Sequence, residues 1–491
     1  MVGGIGKGSG GISYYSLYPL TSPSAMANYV VAVVDSRLHG LFIPDSDPRE
    51  ASLVVIINST ITARSATSLA LQIDDARGVQ VHFDNVSVFS ICFGIALQKL
   101  REGALIAFHR VSFRSLPGGY SCYAATTSAS VAVLVTGGSM ASSTTFAVTN
   151  LTVWMDDESV TFFQASVNVT NCNFIWKDVI MNMTSASSQS VFLASRALTS
   201  SDVYWSNVSV RLHKRRRSGT LQMAVRMFDI AGGMASSNIH FASSSWQVRG
   251  DSAFAARFIT SGSAIQDTSL SMSQIAMVVE LPVVQSSRVD LLYVAGDVFH
   301  CRVGVEDVHL EVNGIGWYTL EAVVGDRLTS SVMAFVRVNI EWSEGSRGPM
   351  ATQTSSAFVS FSQIYLAMIN IESGTLVACK VMSGMAIVAD TNMTVTNTLV
   401  LSNSTVPCEN DNVEFLRATE SARSRIVVSS TTMRLHAARP ANSLFLLEIP
   451  AVDRVQVQVR NSTFTFYVYH VNCRGGIKCD GVCVFVSNIC R

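Results

Sequence analysis

The sequence is short of charge. Only 14% of its 491 residues are Asp, Glu, Lys or Arg, and the two signs cancel at 35 each. Ordinary domains carry about 25% charged residues. A general nucleic-acid binder shows a basic excess, so that class is set aside. An acidic polymer likewise meets no overall attraction. Long apolar runs are also missing. The mean hydropathy is high at +0.32, yet stretches such as Tyr29 to Val34 and Leu53 to Ile57 fall far below the ~18 residues of a membrane helix. Helical periodicity is sparse and heptads do not occur. Metal-ligand spacings, phosphate-binding loops and GxSxG elbows are absent, and no cofactor is implied. Apolar residues still make up 48%, enough to exclude bulk disorder.

What the chain does have is a recurring phrase: a polar residue, often Asn, then apolar, polar, apolar. It reads Asn85-Val-Ser-Val, Asn150-Leu-Thr-Val, Asn207-Val-Ser-Val, Asn238-Ile-His-Phe, Asp307-Val-His-Leu, Asn339-Ile-Glu-Trp and Asn370-Ile-Glu-Ser. Looser copies start at Arg110, Asn171, Gln274, Asn397, Thr432 and Asn461, and the mean step is about 31 residues. An apolar run precedes each phrase, as in Val131-Ala-Val-Leu-Val and Asp290-Leu-Leu-Tyr-Val. Period two means strand.

No such unit can bury its apolar face alone. Stacking unit on unit closes one core and pairs the backbone except at the ends. The expected fold is therefore all-β: a right-handed single-stranded parallel β-helix of the pectin-lyase-like kind, with about 14 rungs. The helix is expected over 26–470, after an N-terminal segment 1–25 that is disordered or truncated and before a Cys-rich stretch at 471–491. A corner Asn tolerates left-handed backbone, and repeated asparagines can stack as an amide ladder; a ladder Asn points inward and carries no glycan, so the corner sites stay open between ladder and glycosylated surface. A β-propeller is the rival, but its blades are longer, at about 40–45 residues.

Nine N-glycosylation sequons occur, at Asn58, Asn85, Asn150, Asn168, Asn182, Asn207, Asn392, Asn403 and Asn461. They mark a secreted surface, or they are by-products of the corner phrase. Asn58, Asn182 and Asn403 look loop-like and are the glycosylation candidates. Of ten cysteines, Cys92, Cys122, Cys172, Cys301, Cys379 and Cys408 are scattered and read as small buried residues. Cys473, Cys479, Cys483 and Cys490 crowd the end in a spacing that suits disulfides rather than zinc. The run His213 to Arg217 reads as a solvated loop; its alternative is a polyanion contact through Lys214, Arg215, Arg216 and Arg217. Hydrolases need two carboxylates across a cleft. Asp156, Asp157 and Glu158 are the weak catalytic candidates, set against an ordinary turn, and the signature segments of polygalacturonases are missing.

The N-V-S-V and N-M-T-V corners, the short Gly-Gly-Ser loops at Thr136 to Ser139 and Ala231 to Gly233, and the terminal cysteines form a texture. It resembles the large surface proteins of kinetoplastid protists, of the dispersed gene family and membrane-associated types. That resemblance implies a giant pectin-lyase-like β-helix with a Cys-rich region and C-terminal membrane spans. The segment MVGGIGKGSGG is no signal sequence, and the stop just after Cys490 suggests a truncated chain. The expected function is that of a non-catalytic cell-surface or secreted protein for adhesion or display, a fragment of a membrane-anchored whole. Glycans or cell-surface molecules are its expected partners. The alternative is a polysaccharide lyase or glycoside hydrolase on the same scaffold.

Overall fold

The computed structural model describes residues 30–43, 53–63, 69–74, 76–101, 103–116, 130–136, 140–215, 223–252, 254–280, 287–313, 318–324 and 328–342. Further on it describes 353–355, 358–362, 365–371, 377–389, 392–396, 399–404, 408–423, 425–430, 432–436, 443–448, 451–454, 456–472 and 478–487. All regular structure among these residues is β-strand. The chain forms two compact units. One takes in Met1–Arg217 with Val225–Ser245, the other Ser218–Ala224 with Trp246–Arg491.

In the first unit the chain visits three faces in turn. A turn runs from Thr145–Asp157 on the first face to Val160–Ala165 on the second and Asn168–Thr170 on the third. It then returns to the first face at Asn173–Ser185. Each strand pairs in parallel with its counterpart one turn on, residue for residue: Phe146 with Phe174, Phe174 with Val203, Phe163 with Phe192, Val169 with Leu198. The second unit repeats the pattern, with Ser269–Glu280 beside Arg302–Asn313, Phe254–Ser261 beside Ser287–Val294, and Ile265–Gln266 beside Val298–Phe299. Each unit is thus a parallel β-helix. Near its end, Lys478–Ser487 turns back antiparallel on Ser462–Asn472.

Alternation decides what is buried. Along Asn173–Ser185, Phe174, Trp176, Val179, Met181 and Met183 are buried and the residues between them are not. Val179 follows Trp176 by three positions, so the alternation slips by one residue. The slip is Asp178, whose φ of 54° lets the first face bend without losing its inward side. The same bend falls at Asn58, Asn85, Arg110, Asn150, Asn207, Ser243, Gln274, Asp307 and Arg337, all with φ between 46° and 55°. Asn and Asp reach this left-handed region at the lowest cost after Gly.

The bends decide one reading that the sequence left open and correct another. The bend amides do not stack inward. Asn58, Asn85, Asn150 and Asn207 are exposed, and Asn85 Nδ2 donates to Asn58 Oδ1 at 2.9 Å on the outer surface. A residue at the apex of a bend convex to solvent points out, not in. The phrases at Asn238, Asn339 and Thr432 also do not begin at bends, which lie at Ser243, Arg337 and Ser430. Both halves of the first face alternate alike, so a period-two pattern fixes the face but not the half.

The buried polar column stands at another corner, between the third and first faces. There Thr144, Cys172, Ser201 and Ser237 follow the left-handed residues Ser143, Asn171, Ser200 and Ser236. Cys172 N–H donates to Ser201 Oγ at 3.1 Å, and Ser201 N–H to Ser237 Oγ at 3.2 Å. The second unit has the same device, with Cys301 N–H donating to Ser331 Oγ at 3.0 Å. Small side chains with one acceptor satisfy the corner amides of the preceding turn. Burial pushes the Cys172 thiol up to about 11, and Cys301 shifts the same way for the same reason.

Candidate functional site

On the outer surface of the first face, the side chains left over from core packing have no structural duty imposed by alternation. In the first unit this surface carries exposed large apolar side chains, among them Trp154 and Ile180 on the half-strands after the bend and Tyr204 on the half-strand before it. Trp154 stands between Val153 and Met155, both buried, so the strand turns it outward. It lies in register with Arg114 on one side and Asn182 on the other, and Asn182 in turn with Arg211. The Arg114 guanidinium sits 4.5 Å from the Trp154 ring centroid. Tyr204 stacks on His240 at 5.2 Å, with the Lys177 ammonium 5.9 Å from its ring.

Four carboxylates of this surface are engaged by the protein itself. Asp84 pairs with Arg110 at 2.7 Å and Asp156 with Arg215. Asp178 accepts from Asn207 at 2.6 Å, and Asp202 accepts from Asn238 at 2.8 Å. Arg114, Lys177 and Arg211 are exposed and form no ion pair among the described residues.

The residues singled out from the sequence distribute as follows. Asp156 and Asp157 close the strand Thr145–Asp157, and Glu158 follows it. Asp157 Oδ2 accepts from Ser130 Oγ, and its Oδ1 accepts from the Glu158 N–H at 2.6 Å. Arg215 brings part of the basic run to the acidic cluster, which sequence did not foresee. Lys214 is buried and donates to the Ala186 carbonyl, so it is no polyanion contact. It closes the strand Asp202–Lys214, where alternation turns it inward. Arg216 and Arg217 lie outside the described residues.

Asn58 occupies an exposed bend, as a loop-like candidate should. Asn182 and Asn403 instead lie within the strands Asn173–Ser185 and Leu399–Ser404. At Asn182 a polar residue between Met181 and Met183 is ordinary strand alternation. Cys92 is disulfide-bonded, not a free core thiol. Cys473 and Cys490 lie outside the described residues, while Cys479 and Cys483 fall in Lys478–Ser487.

A cluster in the second unit escaped the sequence reading. Asp290 is fully buried, between Arg288 at 2.8 Å and Arg257 at 3.2 Å. Both guanidiniums lie against the Tyr293 ring, at 5.4 and 3.8 Å. Burial raises the Asp290 carboxyl, and the two arginines oppose that shift. In a chain so poor in charge, an Asp inside the apolar run Val289 to Val294 was the signal available.

No group of three or more potential metal ligands occurs among the described residues, and no described helix is long and apolar enough to cross a membrane. In comparisons with known proteins, the chain matches no family model and no curated sequence.

Proposed function

We propose that this chain belongs to a non-catalytic cell-surface or secreted protein for adhesion or display, the β-helix holding a recognition surface away from whatever anchors it. The observation that carries the reading is the exposure of four sequon asparagines, Asn58, Asn85, Asn150 and Asn207, at left-handed bends of the first face. A glycan needs an exposed asparagine, and these four residues are exposed. The Cys92 disulfide adds support, because such bonds persist in oxidising compartments. The outward Trp154, Ile180 and Tyr204 offer apolar contact area on the outer surface.

The test is secretion from a eukaryotic host, followed by site-resolved mass spectrometry. The proposal expects glycans on at least two of the four bend asparagines and an oxidised Cys92. A folded, secreted protein bare at all four, with Cys92 reduced, would contradict it.

A further inference from the structure

After the bend of the first face, the strands of the first unit present two outward rows. The row next to the bend is small apart from one residue: Ser87, Ser112, Thr152, Ile180 and Ser209 stand in register on successive turns. The row beyond it is large: Phe89, Arg114, Trp154, Asn182 and Arg211, again in register turn by turn. Arg114, Trp154 and Arg211 are exposed, and neither arginine forms an ion pair among the described residues. Across these turns the two rows hold two positive charges and no carboxylate. Asp156, two positions past Trp154, is held by Arg215. Asp178, which keeps its charge beside the Asn207 amide, stands at the bend, with the small row between it and the large one.

We propose that the large row docks an extended acidic segment of a partner protein, crossing the turns with Asp or Glu at i and i+4 and an apolar residue at i+2. It rests on the adhesion reading above and names the partner's chemistry. Turns lie about 4.8 Å apart, so the three steps from Arg114 to Arg211 cover about 14 Å. An extended peptide rises about 3.4 Å per residue, so its side chains at i and i+4 are also about 14 Å apart. They point to one side of the peptide, with i+2 between them. The two acids meet Arg114 and Arg211, because a guanidinium takes a carboxylate through two parallel N–H donors. The i+2 side chain then falls midway between Trp154 and Asn182, against the Trp154 ring and the exposed Ile180 of the neighbouring row. The Asn182 amide offers both a donor and an acceptor to the peptide backbone. Thr152 and Ser209, being small, leave room beside the row for the width of the segment.

The probes are fluorescently labelled peptides carrying Glu-Ser-Leu-Ser-Glu between Gly-Ser flanks, an isomer with the two glutamates adjacent, and a version with both glutamates replaced by glutamine. They are titrated against the intact chain by anisotropy at low and at physiological salt. The spaced peptide binds, more tightly at low salt. The isomer and the glutamine version bind at least about tenfold more weakly. Trp154→Ala and Arg211→Gln each lower affinity at least about tenfold with unchanged melting temperature, whereas Arg196→Gln, an exposed cation outside the row, leaves it unchanged. An isomer that bound as tightly as the spaced peptide would overturn the register of the two arginines. Failure of every peptide would overturn the partner class. Vesicles of phosphatidylcholine with phosphatidylserine, bound by the parent but not by Trp154→Ala, would in that case give the row to an anionic membrane. Glycans on the bend asparagines of a secreted chain that binds no peptide would leave the adhesion reading standing without this partner.

Discussion

Trp176 and Trp205, in register on neighbouring turns, stack at 4.5 Å between ring centroids with their planes 5° apart. Both are fully buried, and neither indole N–H has a hydrogen-bond partner. Phe146 on Phe174, and Phe163 on Phe192, repeat the arrangement at 5.0 and 4.9 Å. The core is thus built of like side chains piled at the strand spacing, each turn covering the next.

Truncating Trp205 to Ala removes a ring that also touches Phe228 and Phe241. The expected loss is about 3–5 kcal/mol in denaturant unfolding. Trp205→Phe, which keeps a ring and drops the unpaired N–H, is expected to cost less than about 1.5 kcal/mol. An equal loss for both variants would show that the stack is not what stabilises this layer.

The bend at Asn207, with φ of 55°, predicts an inverted preference for small residues. Asn207→Gly stays within about 0.5 kcal/mol of the parent. Asn207→Val destabilises by about 1–2 kcal/mol, because a branched side chain resists the left-handed region. Thermal melts of the pair decide it.

Cys172 makes stability depend on alkaline pH. Its thiol is raised from the ordinary 9.0 to about 11 by burial, so between those values the folded chain holds a proton that the unfolded chain gives up. Stability due to this group is complete below pH 9 and declines as pH rises toward 11, by about 2–3 kcal/mol in all. Cys172→Ser cannot ionise in this range and still accepts at the corner. The difference in unfolding free energy between parent and variant should therefore change between pH 8 and pH 10.5. A pH-independent difference would contradict the buried thiol.

Asp290 is buried between two guanidiniums. Asp290→Ala leaves Arg257 and Arg288 with no carboxylate between them and is expected to cost about 3–5 kcal/mol, with Asp290→Asn less severe. Equilibrium unfolding of both variants is the check.

Much of the fold could be read from residues in sequence, because alternation is local. Gln80 to Val88 announces two short strands around Asn85, and the structure bends there. What could not be read is what depends on neighbouring turns. Asn238 begins the half-strand before a bend, while Asn207 is itself a bend, and nothing in either phrase separates them. Lys214 looked solvated in its basic run, but strand phase buries it. Trp154 was legible in principle: it falls between two inward residues, so its outward direction follows from period two. Its partnership with Arg114, 40 residues earlier, needed the stacking register.

The most direct test of the account is that register. Ile180 and Ser209 face each other on adjacent turns of the outer surface, close enough for a disulfide if both are cysteine. Oxidising the Ile180→Cys, Ser209→Cys variant should close the bond rapidly in the folded protein, visible as a mass loss of about two hydrogens and a joined peptide. The offset pair Ile180→Cys, Arg211→Cys should stay reduced. Closure of the offset pair, or of neither, would contradict a parallel β-helix stacked in this register.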